Sequence, residues 1–241
     1  MARNSYFQFK QFKIEQDLCA MKVCTDACVF GASVVLPVGN IRVLDIGSGT
    51  GLLSLMLAQR YPQAQIIGVE IDPVAASQAQ ENVKNSPFAS RIEIVSTAIQ
   101  DFRPDYFFDV IVTNPPFFQS DLRSPDSAIN GAHHAQSLSF SDLLMAIKRL
   151  LKPGGNWQIL LPEKESKLLY NNALEIDWAL TEKLTLRHTA AHAPGCIIST
   201  FVSNAGPDFA VKASELCFYE PDGKTYTVAF RKLLQEFYLI F

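Results

Sequence analysis

The sequence predicts an α/β protein built on a doubly wound sheet of seven mostly parallel strands with an antiparallel edge strand. Three observations carry this. Apolar strand runs alternate with amphipathic helical runs from residue 41 onward. Parallel strands joined through helices demand right-handed crossovers and helices on both faces of the sheet. Near residues 178–203 two strand-like runs follow each other without a helix, which implies an antiparallel edge.

The elements follow in order. Ile41–Ile46 (IRVLDI) reads as a buried strand, and Gly51–Tyr61 as a helix stopped by Pro62. Gln65–Glu70 (QIIGVE) is the second strand. Pro73–Asn85 is a helix with Asp72 as its N-cap and Pro73 in its first position. Arg91–Ser96 and Asp109–Thr113 are the third and fourth strands. Ser139 caps a helix over Phe140–Leu151, where Asp142 suits the positive end of the dipole. Pro153-Gly154-Gly155 ends that helix, and Asn156–Leu161 is the fifth strand. Trp178–Arg187 and Cys196–Ser203 form the β-β pair. Glu215–Glu220 is a further strand candidate, and Tyr226–Leu239 a last helix. Residues 1–40 carry aromatics and lysines without a clear period, and read as an extension of a single domain that covers the ligand edge of the sheet.

Composition narrows the class. The chain has 241 residues, 48% of them hydrophobic, and a net charge of −3, which excludes dominant disorder. Its five cysteines are sparse and odd in number, so reduced thiols and a cytoplasmic location are expected. No apolar run suits a membrane span, and the opening MARNSYFQFK has no apolar signal region. The acidic balance gives no global nucleic-acid footprint, so any such contact is a local patch.

The glycine loop Asp45-Ile-Gly-Ser-Gly-Thr-Gly51 follows a strand and opens a helix. Its GxGxG spacing differs from the GxGxxG of dinucleotide sites, and the GKS or GKT of a phosphate loop is missing. Gly47, Gly49 and Gly51 let the backbone approach a ligand closely. Asp45 would repel a pyrophosphate but suits the ammonium of an amino-acid moiety. Glu70, at the end of the second strand, suits two ribose hydroxyls, with Ile71 beside it; Ala98, after the third strand, completes this edge. Adenosine joined to a zwitterionic amino acid describes S-adenosylmethionine.

Asn114-Pro115-Pro116-Phe117 follows the fourth strand at the same edge. The Asn114 amide oxygen and the Pro115 carbonyl are two acceptors held stiffly by the prolines. Together they can take both hydrogens of an exocyclic –NH₂ group and aim its lone pair at a methyl. Asn114 thus faces cofactor and acceptor alike. Phe117 offers a stacking face for a flat base. No metal-ligand spacing is present: Cys19, Cys24 and Cys28 read as core thiols, and His188 and His192 lack cysteine partners. A general base is unnecessary, because the proton of the methylated amine can leave to water.

DIGSGTG, the spaced Glu70 and NPPF resemble the class I, Rossmann-like methyltransferases of exocyclic nitrogens. Phe7–Gly31 (FQFKQFKIEQDLCAMKVCTDACVFG) is similar to the opening FxFKQFxVxxDxxAMKVGTDxxLLG of the bacterial tRNA(valine) adenine-37 N6-methyltransferases, and the ending FRKLLQEFYLIF is similar as well. The resemblance implies N6-methylation of the adenine 3′ of the anticodon in tRNA, and places Lys22, Thr25 and Asp26 over the cofactor. Cys24 stands where the pattern has glycine, and His133 where it has arginine. A protein glutamine amide or a guanine N2 of ribosomal RNA fits the same acceptors, and a non-catalytic cofactor-binding RNA module is the rival from another class. The expected RNA contacts are Lys10, Lys13, Lys22 and Arg123, with the 188–195 loop (HTAAHAPG) or the C-terminal helix carrying Arg231 and Lys232 as the other candidates; a monomer without metal or membrane partner is favoured.

Overall fold

The computed structural model describes residues 5–19, 21–115, 138–203 and 210–241. An N-terminal hairpin, β1 (Tyr6–Gln8) and β2 (Lys13–Glu15), leads into helix α1 (Thr25–Ser33). The alternating part runs β3 (Arg42–Ile46), α2 (Leu52–Arg60), β4 (Gln65–Glu70), α3 (Pro73–Lys84), β5 (Ile92–Ser96) and β6 (Phe108–Thr113). It continues α4 (Phe140–Leu150), β7 (Leu151–Pro162), α5 (Glu163–Leu174), β8 (Trp178–Arg187), β9 (Cys196–Ser203), β10 (Lys212–Cys217) and α6 (Val228–Leu234). Period-2 alternation sends Val43 to one face and Leu44 to the other. The first face packs under α1, α2, α3 and α6, the second under α4 and α5.

The main sheet holds eight described strands in the order β10-β8-β9-β7-β6-β3-β4-β5. Two expectations are corrected here: the strand count is eight, and the antiparallel strand is internal. β9 runs antiparallel to both β7 and β8, while every other pairing is parallel. The crossover through α5 sets β8 down two strand positions beyond β7, and β9 folds back into the gap between them. A β-β pair in sequence fixes this antiparallel pairing but not the side on which the second strand inserts. β8 is then flanked by β10, which begins three residues before the expected strand at Glu215.

The extension also differs from an aperiodic cover. Phe9 and Phe12 are buried, and Phe9 bridges to Tyr238. Lys10 Nζ donates to the carbonyls of Gln235 (2.6 Å) and Phe241 (2.7 Å). The last helix is correspondingly short: it stops at Leu234, and the chain turns so that Phe237 and Tyr238 pack against the hairpin. Truncating a fully buried Phe typically costs about 3–5 kcal/mol. Phe9→Ala is therefore expected to lower stability by about that amount in urea unfolding; a loss under about 1 kcal/mol would show that the hairpin is a detachable cover.

Candidate active site

The glycine loop, the end of β4, the turn after β5 and Thr113–Pro115 gather at the carboxyl edge of the parallel strands, where ligands bind in such sheets. Gly47, Gly49 and Gly51 have φ of +71°, +53° and +80°. No atom crowds a Cβ added at Gly47 or Gly49, so the glycine requirement there is the left-handed backbone alone. The loop is stitched to β4, where the Val69 carbonyl accepts Gly47 N–H (2.8 Å) and Ser48 N–H (3.2 Å). Glu70 completes the seam: Oε2 accepts Gly49 N–H at 2.8 Å and Oε1 accepts Asp72 N–H at 3.0 Å. An ionised carboxylate has about four lone-pair sites, so these bonds aim Glu70 and leave two to spare.

Beside this seam lies a cleft of about 250 Å³. Its walls are Ile46–Thr50, Glu70–Asp72, the turn after β5 with Thr97, Ile99 and Gln100, and Thr113–Pro115. The extension closes it with Cys19, Met21, Lys22, Val23 and, from α1, Ala27. Thr113 Oγ1 donates to the Ile46 carbonyl at 2.9 Å, which ties the end of β6 to the glycine loop. Asn114 Oδ1 and Ser48 Oγ are buried at the cleft without a partner among the described residues. Burying a polar atom unpaired costs about 1–3 kcal/mol, so such atoms in one cleft mark where a ligand's groups belong.

Of the sequence-derived positions, Lys22, Gly47, Gly49, Glu70, Ile71, Asn114 and Pro115 line this cleft. Thr25, Asp45, Gly51 and Ala98 do not. Gly51 is the N-cap of α2, and the Ala98 carbonyl closes the turn after β5 by accepting Asp101 and Phe102 N–H. Phe117, Arg123, His133 and His134 lie outside the described residues. Cys19, Ser48, Thr97 and Gln100 were not singled out as site residues. Only Ser48, inside the glycine motif, carried a local signal. Cys24 is exposed rather than core, and its φ of −128° suits any residue, so the glycine of the family pattern is not needed there. Lys13 pairs with Glu15, and Lys10 serves the C-terminal turn as described, so neither is a ready phosphate contact.

Asp45 is fully buried. Oδ2 accepts from Ser54 Oγ (2.7 Å) and Ser54 N–H (3.2 Å), while Oδ1 has no partner among the described residues. Burial pushes its pKa up to about 7; the Ser54 bonds pull downward and the nearby Glu70 charge adds to the rise. Cys19 is pushed up to about 11 by burial and then by Glu70, Asp72 and Asp17, so this thiol stays protonated and unreactive at the cleft. All five cysteines are free. Among the described residues no cluster suits a metal ion, and no helix is long and apolar enough to cross a membrane.

A family model described as methyltransferase small domain matches residues 23–184. The chain is 50% identical over 241 residues to the tRNA1(Val) (adenine(37)-N6)-methyltransferase of Dyadobacter fermentans, covering all of both chains. It is 39% identical over 237 residues to the protein of that name from Bacteroides thetaiotaomicron, covering 98% of each. Among solved structures, a predicted O-methyltransferase from Agrobacterium tumefaciens aligns with a TM-score of 0.69 at 16% identity, covering 87% of this chain and 95% of that one. At that identity the likeness concerns the fold.

The Asp45 environment generates a pH prediction. Folding raises this acid's pKa, so between about pH 4, its unfolded value, and about 7 the native state holds a proton that the unfolded chain has lost. Its contribution therefore makes stability fall as pH rises through that window, and it levels off above. Asp45→Asn keeps an acceptor for Ser54 and removes the titration. The loss of unfolding free energy from pH 5 to pH 8 should be smaller in that variant than in the unsubstituted protein; equal losses would place the Asp45 proton elsewhere.

Proposed function

The chain belongs to the family of the tRNA1(Val) (adenine(37)-N6)-methyltransferases, and from that premise we propose that it transfers a methyl group from S-adenosylmethionine to N6 of adenine-37 in the anticodon loop of valine tRNA. The observation that carries the reading is Asn114 Oδ1, a buried acceptor without a partner among the described residues, in the same cleft as Glu70. S-adenosylmethionine supplies an electrophilic methyl on a sulfonium, which departs as a neutral thioether.

The chain's own residues bind and aim. Glu70, held by Gly49 and Asp72, turns its free lone pairs to the ribose hydroxyls. The glycine loop leaves room for the amino-acid end. Asp45 has no surface on the cleft, so only its ionised form favours an ammonium there, through space rather than by contact. Lys22 and Ile71 line the walls, while Thr25 begins α1, Gly51 caps α2 and Ala98 closes the turn after β5. At the acceptor, Asn114 Oδ1 and the Pro115 carbonyl take the two amine hydrogens. The adenine nitrogen, whose lone pair is delocalised into the ring, is thereby drawn toward a pyramidal geometry. Phe117, which lies outside the described residues, is the proposed stacking face for the base. As the new N–C bond forms, the amine's surplus proton passes to water. Catalysis is mostly positioning and electrostatics. An amide nitrogen would be held by the same two acceptors; the full-length likeness to relatives named for tRNA favours adenine. The reading favours a cytoplasmic enzyme acting as a monomer.

Labelled methyl transfer to unmodified total tRNA, followed by nucleoside analysis, is expected to yield N6-methyladenosine. Label entering ribosomal RNA or a release factor instead would reassign the substrate. Two variants separate the two halves of the site. Asn114→Ala should cut kcat by about 10²–10³-fold with cofactor affinity nearly unchanged. Glu70→Ala should weaken cofactor binding by about 1.5–3 kcal/mol. Calorimetry and turnover together read both, and a shared loss of cofactor affinity would merge the two roles.

A further inference from the structure

The far strands of the sheet rise above its catalytic edge. One row of partners, Thr113–Ile159–Ser199–Lys183, crosses β6, β7, β9 and β8. β8 continues past Lys183 to Arg187, a climb of about 13 Å at ordinary strand spacing. Cys217 at the end of β10 stands level with Arg187, and Tyr219 N–H bonds the His188 carbonyl at 2.9 Å. The ends of β8 and β10 and the 188–195 loop thus form a wall on the β7 side of Asn114. It stands three inter-strand spacings away, about 14 Å.

A ladder of rings runs up this wall. Phe230, fully buried, stacks on Tyr226 (5.0 Å, 6°), and Tyr226 on Tyr219 (4.7 Å, 24°). Tyr219 meets His188 (4.7 Å, 38°), and His188 meets His192 (5.0 Å, 59°). The ladder starts in the core and ends in solvent, where both imidazoles are exposed. Its top is built rather than loose. His192 Nδ1 lies 2.8 Å from Thr189 Oγ1, Arg187 Nη1 donates to the His192 carbonyl at 2.7 Å, and Gly195 N–H closes onto Leu186 at 2.9 Å. A preorganised surface loses little entropy on binding.

We propose that His188 and His192 are a stacking platform for RNA bases that neighbour the target adenine; this rests on the reading that tRNA is the substrate. A base that reaches Asn114 must leave its stack, and its neighbours then lose a partner. Flat rings at the rim of the same edge supply one, as aromatic platforms do for single-stranded RNA. The wall does not act chiefly through phosphate attraction, because the Arg187 guanidinium is already paired with Glu215 (3.1 Å).

The test is binding of a valine anticodon stem-loop, read by fluorescence anisotropy in the presence of S-adenosylhomocysteine. His188→Ala with His192→Ala should raise Kd about ten-fold, the order expected for one lost base stack, while cofactor affinity stays the same. His188→Phe with His192→Phe, which keeps flat rings, should return Kd to within about two-fold of the unsubstituted protein. Unchanged Kd in the alanine variant, with the unsubstituted protein binding RNA and methylating tRNA, overturns the platform alone. So does a phenylalanine variant as weak as the alanine one. No RNA binding by the unsubstituted protein overturns both the platform and the substrate reading.

Discussion

Glu70 joins the three parts of the cleft that sequence separates, two through its carboxylate and one through its backbone carbonyl. Through Oε2 it holds Gly49, through Oε1 it holds Asp72, and its backbone carbonyl accepts Thr97 N–H at 2.9 Å. The glycine loop, the start of α3 and the turn after β5 are therefore fixed to one strand end. The left-handed backbone of the loop serves this seam as much as it serves a ligand, because it brings the Gly49 N–H to Glu70. The sheet answers in kind. A Cβ at Gly68 would stand 2.9 Å from Ser48 Cβ and 2.6 Å from Ile94 Cδ1, so β4 needs glycine where the loop folds down on it.

The wall contributed by the extension is fixed by a second hub. Asn82, on the buried side of α3, accepts Glu15 N–H (2.8 Å) and donates to the carbonyls of Glu15 and Thr50 (2.9 Å each). One helical turn earlier, Gln78 accepts Leu18 N–H (3.2 Å) and donates to Asp17 (2.6 Å). The hairpin side of the cleft and the glycine loop thus share one helix as a template. Hydrogen bonds between a side chain and a distant backbone satisfy groups that no local element could.

The same division explains what could be read from the residues alone. Strand and helix runs, the Asp72 and Ser139 caps, the glycine loop, Glu70 and Asn114 are local patterns, and periodicity and capping chemistry identify them. What escaped was decided by contacts distant in sequence. The insertion of β9 depends on where α5 sets β8. The burial of Phe9 depends on Tyr238, and the engagement of Lys10 on the turn after α6. Asp45 was legible as an acid in front of the loop but not as a buried one, because Ser54 lies a helix turn into α2.

In the proposed reaction, Asn114 and Glu70 act on two ligands meeting in one cleft. The decisive quantity is the distance from Asn114 Oδ1 to N6 of the target adenine, in a crystal structure with S-adenosylhomocysteine and a valine anticodon stem-loop. A hydrogen bond of about 2.7–3.2 Å, with the cofactor's ribose on Glu70, is expected. A cofactor bound outside the cleft, or an adenine amine beyond hydrogen-bond reach of Asn114, would contradict it.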